Sequence, residues 1–141
     1  MQIDIRVHRE IQNHSMLSLC LRCFAEFARS WSQQKSLVLP ETAPVMNNET
    51  DLVITKDVFN KDALIFKDVK SDFVTLQSEN HSVKFTLNNA PYLGIWAKPG
   101  APYVCIEPWY GLNDSHEKKS DLSEKIGIQS LAQDEIFTFV W

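Results

Sequence analysis

Short β-rich runs follow one another from residue 52 to the end of the chain, and turn residues rather than helical stripes separate them. The runs are Leu52–Ile54, Ala63–Phe66, Phe73–Gln77, Ser82–Leu87, Tyr92–Ala97, Tyr103–Glu107 and Ile136–Trp141. Two of the separators are rich in turn residues, Glu79-Asn80-His81 and Lys98-Pro99-Gly100-Ala101-Pro102. Strands at short spacing without helices between them predict an antiparallel sandwich or barrel. We therefore expect a mostly antiparallel, all-β fold.

The first 36 residues do not share this pattern. Alternating apolar residues near the start of the chain, among them Ile5, predict a short strand. Between Ser15 and Trp31, apolar residues recur at three- and four-residue steps, which predicts one N-terminal amphipathic helix. We interpret this helix as packing on the domain, with a membrane-surface or partner-binding helix as the alternative. Residues 41–50 are rich in Pro, Asn and Thr and are predicted to form a loop.

Composition limits the classes of function. The chain has 141 residues, a net charge of −4 and 44% hydrophobic residues, which predicts one soluble globular domain. A basic stripe is lacking, so we expect no nucleic-acid partner. With only four glycines, the chain contains no glycine-rich phosphate loop. The apolar stretch Met16–Trp31 is interrupted by charges and is too short to span a membrane.

Three cysteines, Cys20, Cys23 and Cys105, are too few and too irregular for a disulfide framework. Such a count, together with a charged N-terminus unlike a signal peptide, predicts a cytoplasmic protein. Cys20 and Cys23 form a lone CxxC motif. A zinc site would need two further ligands at suitable spacing, so we favour two buried thiols over a metal or redox site.

Glu107 is the most distinctive candidate functional residue. It ends an apolar strand and precedes Pro108, which cannot donate to a strand ladder. Strand alternation places Cys105 and Glu107 on one face and Val104 and Ile106 on the other. A carboxylate in such partly apolar surroundings is a candidate general base or acid. The alternative is an idle, solvated carboxylate at a strand end.

Two tryptophans lie close to Glu107 in sequence. Trp96 and Trp109 could present flat aromatic faces to the apolar side of a sugar ring, while carboxylates and amides bind its hydroxyls. We therefore predict Trp96 and Trp109 as substrate-binding residues.

Three blocks of sequence resemble the aldose 1-epimerases, and within them the bacterial LacX-type branch. The blocks are NKDALIFKDVKS at residues 60–71, YLGIWAKP at 92–99 and CIEPWYG at 105–111. The resemblance covers Leu37 to Trp141. It implies a galactose mutarotase-like β-sandwich that needs no metal or organic cofactor. It also implies a hexose substrate, whose α and β anomers the family interconverts.

The family's chemistry suggests roles for two acidic side chains, Glu107 and Asp62. A glutamate removes the proton from the sugar C1 hydroxyl, and a histidine protonates the ring oxygen so that the ring opens. Glu107 matches the base position. Asp62 falls near a position that binds sugar hydroxyls in the family, and a solvated turn acid before a strand is the alternative.

The chain departs from the family in its N-terminal half. Residues 1–36 are predicted to be an atypical segment, and residues 37–141 to be the C-terminal part of a truncated sandwich. The family's acid histidine has no clear match among His8, His14, His81 and His116. Catalysis by this chain is therefore left open against two alternatives, a non-catalytic sugar-binding sandwich and an inactive remnant. Open sheet edges would favour a homo-oligomer.

Overall fold

Ten strands are present in the part of the chain that the computed structural model describes, residues 5–6, 17–20, 29–34, 37–44, 51–69, 71–78, 81–115 and 121–139. They are β1 (Ile5–Arg6), β2 (Leu17–Cys20), β3 (Arg29–Gln34), β4 (Leu37–Pro44), β5 (Asp51–Ile54), β6 (Leu64–Lys67), β7 (Phe73–Gln77), β8 (Ser82–Thr86), β9 (Tyr92–Trp96) and β10 (Tyr103–Trp109). A 3-10 helix follows at Leu122–Glu124.

The strands form two sheets. The six-stranded sheet has the order β1-β10-β9-β6-β3-β4, and the four-stranded sheet has the order β5-β2-β7-β8. Every strand pair in both sheets is antiparallel. The predicted all-β, antiparallel fold class is confirmed. Self-association along edge strands such as β8 and the division of the chain at residue 36 stay predictions.

Side chains from both sheets form the main core. The six-stranded sheet contributes, among others, Phe66, Leu93 and Ile95, and the four-stranded sheet contributes Val74 and Leu76. Leu93, Ile95 and Val74 are fully buried. At about 25 cal/mol per Å² of apolar surface, this shared cluster is what holds the two sheets together.

A second, smaller cluster contains Val38, Ile65, Tyr92 and Leu112. Ile65 pairs with Gly94, and Gly94 pairs with Glu107, so Ile65 and Glu107 share one face of the six-stranded sheet. Phe66, next to Ile65, instead belongs to the main core. We call the face that carries Ile65 and Glu107 the outer face of this sheet.

Several strands and turns match their sequence predictions. β5 to β10 occupy the predicted runs with small shifts at their ends. The turn before β10 has a hydrogen bond from Ala101 N to Lys98 O, with Gly100 at a φ of 79°. This geometry is that of a type II turn, which needs a positive φ at its third position. β7 and β8 pair directly, as the predicted hairpin requires.

The predicted N-terminal helix is wrong where the structure describes it. Leu17–Cys20 is strand β2 and Arg29–Gln34 is strand β3, while residues 21–28 lie outside the described residues. Leu19 stands opposite Leu52 on one side and Leu76 on the other. Two ladders of this kind override a local helical pattern, because β2 gains partners along both edges.

Two other predicted segments differ from the structure. The predicted loop at 41–50 is strand as far as Pro44, and the remainder lies outside the described residues. β4 is the last strand in its sheet, and an edge strand tolerates proline because one side needs no ladder hydrogen bonds. The predicted closing strand at Ile136–Trp141 is not formed over residues 136–139.

The C-terminal segment, residues 121–139, attaches to the residues that follow β10. The Lys125 ammonium lies 2.9 Å from the Asp114 carboxylate. Gln129 Nε2 donates to Tyr110 O at 3.0 Å. Gly127, at a φ of 77°, lies against Gly111, where a Cβ on Gly127 would be 3.2 Å from Gly111 Cα. None of the helices in the described ranges is long and apolar enough to cross a membrane.

Candidate active site

Glu107 lies in β10 on the outer face of the six-stranded sheet. Its neighbour Ile106 points the other way, into the main core, as strand alternation predicts. The ladder places Glu107 directly opposite Gly94 of β9. Glu107 is half-buried, and it shares its face with the fully buried Cys105. The strand therefore holds a carboxylate at the boundary between packed protein and solvent.

The Glu107 carboxylate accepts a hydrogen bond from Trp109. The indole Nε1–H donates to Oε2 over 3.1 Å, and the contact is partly buried. Both side chains are on one face because they are two residues apart on a strand. Within the described part of the chain, this indole is the carboxylate's one hydrogen-bond donor. Trp109 thus fixes one carboxylate oxygen, Oε2, and Oε1 accepts no hydrogen bond from the residues that the structure describes.

Gly94 provides the space that the Trp109 ring occupies. A Cβ at position 94 would lie 2.7 Å from Cζ2 and 2.9 Å from Cη2 of Trp109, closer than carbon atoms approach without bonding. Trp109 pairs with Tyr92, so Gly94 is its diagonal neighbour on β9. The indole therefore leans across the strand pair toward Gly94, which brings its N–H beside Glu107.

The second cluster also contacts Trp109. Trp109 packs against it, and its nearest strand partner there is Tyr92. Burial raises the pKa of the Tyr92 phenol, and the negative charge of Asp68 raises it further. Tyr92 therefore stays neutral at physiological pH and serves as packing surface.

An open concavity begins next to Trp109. Its volume is about 480 Å³, within the usual range for small-molecule sites. It is lined by Pro108, Trp109, Tyr110, Gly111, Leu112, Asn113, Phe137 and Phe139. Tyr110 lies edge-on to Phe137 and Phe139, with ring centroids 5.1 and 5.0 Å apart. Glu107 does not line the concavity, but it directly precedes Pro108 in sequence and contacts Trp109, both of which do.

Trp96 is placed away from the Glu107–Trp109 contact. It stands opposite Cys105 at the end of β9 and packs against the main core. Its ring lies edge-on to Tyr103, with centroids 6.4 Å apart. The ring is half-buried, so part of it remains open. Its role as a sugar-binding residue stays a prediction.

Asp62 lies in the turn that leads into β6. Its carboxylate accepts a hydrogen bond from Ala63 N at 2.8 Å, and its backbone N–H donates to Phe59 O. Its φ of 98° is unusual for a residue other than glycine. These local bonds favour the turn-acid interpretation, and binding of a sugar hydroxyl by Asp62 stays a prediction.

A counterpart of the acid histidine that the resemblance implies is not located among the described residues. His8, His14 and His116 lie outside the described residues, and His81 is in the β7–β8 turn of the four-stranded sheet. Cys23 of the CxxC motif also lies outside them. In the described ranges, no three His, Cys, Asp or Glu side chains are grouped so that they could hold a metal ion.

Gly94 is the site residue that sequence reasoning missed. A glycine inside the apolar strand Tyr92–Trp96 was a usable signal, because such a glycine often marks the close approach of another group. The sequence did not reveal which group approaches it. That depends on the register between β9 and β10.

Comparison with known proteins agrees with this fold. The chain is 28% identical over 100 residues to two curated proteins of Lactococcus lactis subsp. lactis, Protein LacX in its plasmid and chromosomal forms. A galactose mutarotase related enzyme from Lactobacillus acidophilus matches in structure with a TM-score of 0.69, at 21% identity and over 89% of this chain. A galactose mutarotase-like protein from Lactobacillus casei matches with a TM-score of 0.71, at 21% identity and over 79% of this chain.

The chain is similar to one part of the LacX proteins and of the galactose mutarotase-like structures. The matches cover only a share of each relative, 33% of either LacX protein and 44% and 40% of the two solved chains. This chain thus spans about a third of the length of the curated relatives that it matches. No protein-family model matches it.

Proposed function

We propose that this aldose 1-epimerase-like chain binds a free hexose and that Glu107 is the general base of an anomer-interconverting site. The observation that carries the proposal is the half-buried Glu107 carboxylate, whose Oε2 accepts a hydrogen bond from Trp109 and whose Oε1 accepts none from the described residues. A general base must reach the proton it removes, and we assign Oε1 as the oxygen that does so.

The proposed reaction moves only protons and one carbon–oxygen bond. Glu107 takes the proton of the C1 hydroxyl, the C1–O bond of the ring breaks, and C1 becomes an aldehyde. The ring oxygen gains a proton from a general acid, for which solvent water stands in when no side chain supplies it. Rotation about the C1–C2 bond and ring closure on the other face then give the other anomer, and the two protons return.

The surroundings of Glu107 suit a sugar. The neighbouring concavity of about 480 Å³ has aromatic walls, and Asn113 adds an amide at its rim. Aromatic faces pack against sugar C–H groups, and amides and carboxylates bind hydroxyls, because an unmatched buried polar group costs about 1–3 kcal/mol. Acid–base ring opening of this kind needs neither a metal nor an organic cofactor.

A non-catalytic sugar-binding sandwich is the second candidate. It is favoured by the placement of His81, the one histidine in the described ranges, in the β7–β8 turn of the other sheet. A site with a base and no side-chain acid would bind a sugar but would lack the acid's contribution to the rate of ring opening. General acid–base groups each contribute about 10²- to 10⁴-fold to a rate.

Polarimetry tests the catalytic proposal. Freshly dissolved α-galactose or α-glucose approaches its equilibrium rotation at a rate that the active protein increases in proportion to its concentration. We expect Glu107→Gln to return this rate to that of buffer, because the amide keeps the shape but cannot accept the proton. Glu124→Gln makes the same chemical change at an exposed site in the C-terminal segment and should leave the rate unchanged.

Sugar binding separates the remaining alternatives. If wild type and Glu107→Gln equilibrate galactose equally fast, the base role is refuted. Tryptophan fluorescence then decides, because sugar-dependent quenching indicates a binding protein and a flat titration indicates an inactive remnant.

A further inference from the structure

We propose that Trp109 is a positioning residue that acts through Glu107, and that Gly94 leaves the space that the Trp109 ring occupies. This inference rests on the proposed function, since it concerns how the base is held. It replaces the simpler expectation that Trp109 is a stacking platform for the sugar. The indole cannot be assigned to the substrate alone, because its N–H is already used by Glu107 Oε2.

The strand register explains how the contact arises. Glu107 and Gly94 are directly opposite, and Trp109 is diagonal to Gly94. With a side chain at position 94, the space beside Glu107 would be filled by that side chain. With glycine there, the indole occupies it, and ring carbons Cζ2, Cη2 and Cε2 all lie within 3.0 Å of where a Cβ would be. Glycine at this position therefore sets the direction of the ring.

Packing behind the ring keeps it in place. Trp109 contacts the second cluster, in which Ile65 is fully buried and Val38, Tyr92 and Leu112 are nearly so. A ring held between this cluster and the Gly94 backbone has little freedom to rotate. Its N–H is thus a fixed donor, and a fixed donor orients the carboxylate that accepts from it.

As a chemical consequence, the two oxygens of the Glu107 carboxylate have different roles. Oε2 is occupied by the indole, so Oε1 is the oxygen that meets the sugar hydroxyl. Loss of the indole N–H would leave the carboxylate free to rotate away from the reacting hydroxyl. The rate of the chemical step would fall, and sugar binding would change little, because phenylalanine keeps an aromatic ring at position 109 and the other lining residues are unchanged.

The contact can be tested without reference to activity. In a ¹H–¹⁵N spectrum of the full chain, the indole cross-peak that disappears in Trp109→Phe belongs to Trp109. We expect Glu107→Gln to move this cross-peak upfield more than any other indole peak, because an amide oxygen is a weaker acceptor than a carboxylate. Glu124→Gln should leave it in place. A Trp109 peak that does not respond to Glu107→Gln would overturn the proposal.

Kinetics test the role. Trp109→Phe should lower kcat about tenfold, the loss expected for one hydrogen bond to a charged group, and change KM less than about twofold. Gly94→Ala should lower kcat as well, since it displaces the ring. A raised KM with an unchanged kcat would instead assign Trp109 to sugar stacking and overturn the proposal.

Failure of the proposed function can be distinguished from failure of the positioning role of Trp109. If the wild-type protein does not accelerate anomer exchange at all, the proposed function fails, and the response of the indole peak to Glu107→Gln still supports or overturns the holding of the carboxylate. If Trp109→Phe does not fold, the Trp109 peak is identified by its nuclear Overhauser contacts with the Gly94 α-protons. Glu107→Gln retains the indole and gives the same answer.

Discussion

The β9–β10 pair and the C-terminal segment, residues 121–139, are both rich in apolar residues, yet they bury them very differently. In β9, Leu93 and Ile95 are fully buried. In the C-terminal segment, six large apolar side chains are exposed, and Ile136 reaches 87%. They are Leu122, Ile126, Ile128, Leu131, Ile136 and Phe137.

The difference follows from backbone pairing. β9 lies between β10 and β6, so each of its edges is hydrogen-bonded and one of its faces packs into the main core. The described part of the C-terminal segment contains one three-residue 3-10 helix and otherwise turns and irregular backbone. Apolar composition therefore does not decide burial by itself, and an element needs ladder partners that orient its side chains toward the core.

Truncating one isoleucine in each region should give the largest contrast. Ile95→Ala removes a fully buried side chain and should lower the free energy of unfolding by about 2–5 kcal/mol. Ile136→Ala removes an exposed side chain and should change it by less than about 0.5 kcal/mol. Denaturant unfolding of both variants measures the difference. Equal losses would show that the C-terminal segment is packed as well as β9.

A glycine pair sharpens the comparison. Gly94→Ala forces a methyl group into the Trp109 ring and should cost about 1–3 kcal/mol of unfolding free energy. Gly111 faces the C-terminal segment, where an added Cβ would lie 3.4 Å from Gly127 O, an ordinary contact distance. Gly111→Ala should therefore cost clearly less. Thermal unfolding ranks the two variants. The reverse order would mean that the indole does not occupy the space above Gly94.

Tyr110 connects the end of β10 with both the Asn88 turn and the C-terminal segment. Its hydroxyl donates to Asn88 O, and its ring contacts Phe137 and Phe139. Tyr110→Phe keeps the ring contacts and loses the hydrogen bond, which should cost about 1 kcal/mol of unfolding free energy. Tyr103→Phe is the matched control, for which we expect a smaller loss. Similar losses in the two variants would show that the hydrogen bond of the Tyr110 hydroxyl adds no particular stability.

Tyr92 should give the smallest effect, seen only at alkaline pH. Burial and then Asp68 raise its folded-state pKa above the ordinary value of 10.0. The unfolded chain therefore loses this proton first, so the associated stability is complete below about pH 10 and is lost as pH rises toward the folded-state pKa. Tyr92→Phe should flatten this alkaline decline in chemical unfolding curves. An unchanged decline would assign it to other groups.

Sequence reasoning succeeded where the signal was local. Alternation and turn residues fix β7, β8 and the type II turn at Gly100, since each depends on neighbours a few residues away. It failed at β2, where Leu17 fits the helical stripe as well as a strand, and only pairing with β5 and β7 decides between them.

The candidate site shows the same limit. The face of β10 that Glu107 shares with Cys105 could be predicted, because it depends on alternation alone. The predicted strand exit at Glu107 is wrong, since β10 continues to Trp109 and Pro108 stands opposite Leu93. The contact between Trp109 and Glu107 depends on the register that brings Gly94 beneath the indole, and a single sequence does not specify a register. The apolar residues at 136–139 alternate like a strand but have no ladder partner among the described residues. Alternation alone therefore predicted a strand that is not formed there.

Exchange between the two anomers of galactose at equilibrium tests whether Glu107 is the general base. Magnetisation transfer between the two C1 protons reports interconversion in both directions and needs no freshly dissolved sugar. We expect transfer that grows with the concentration of wild-type protein and falls to the buffer rate with Glu107→Gln, while Glu124→Gln matches wild type. Transfer that is equally fast with wild type and Glu107→Gln would contradict the assignment of Glu107 as the base.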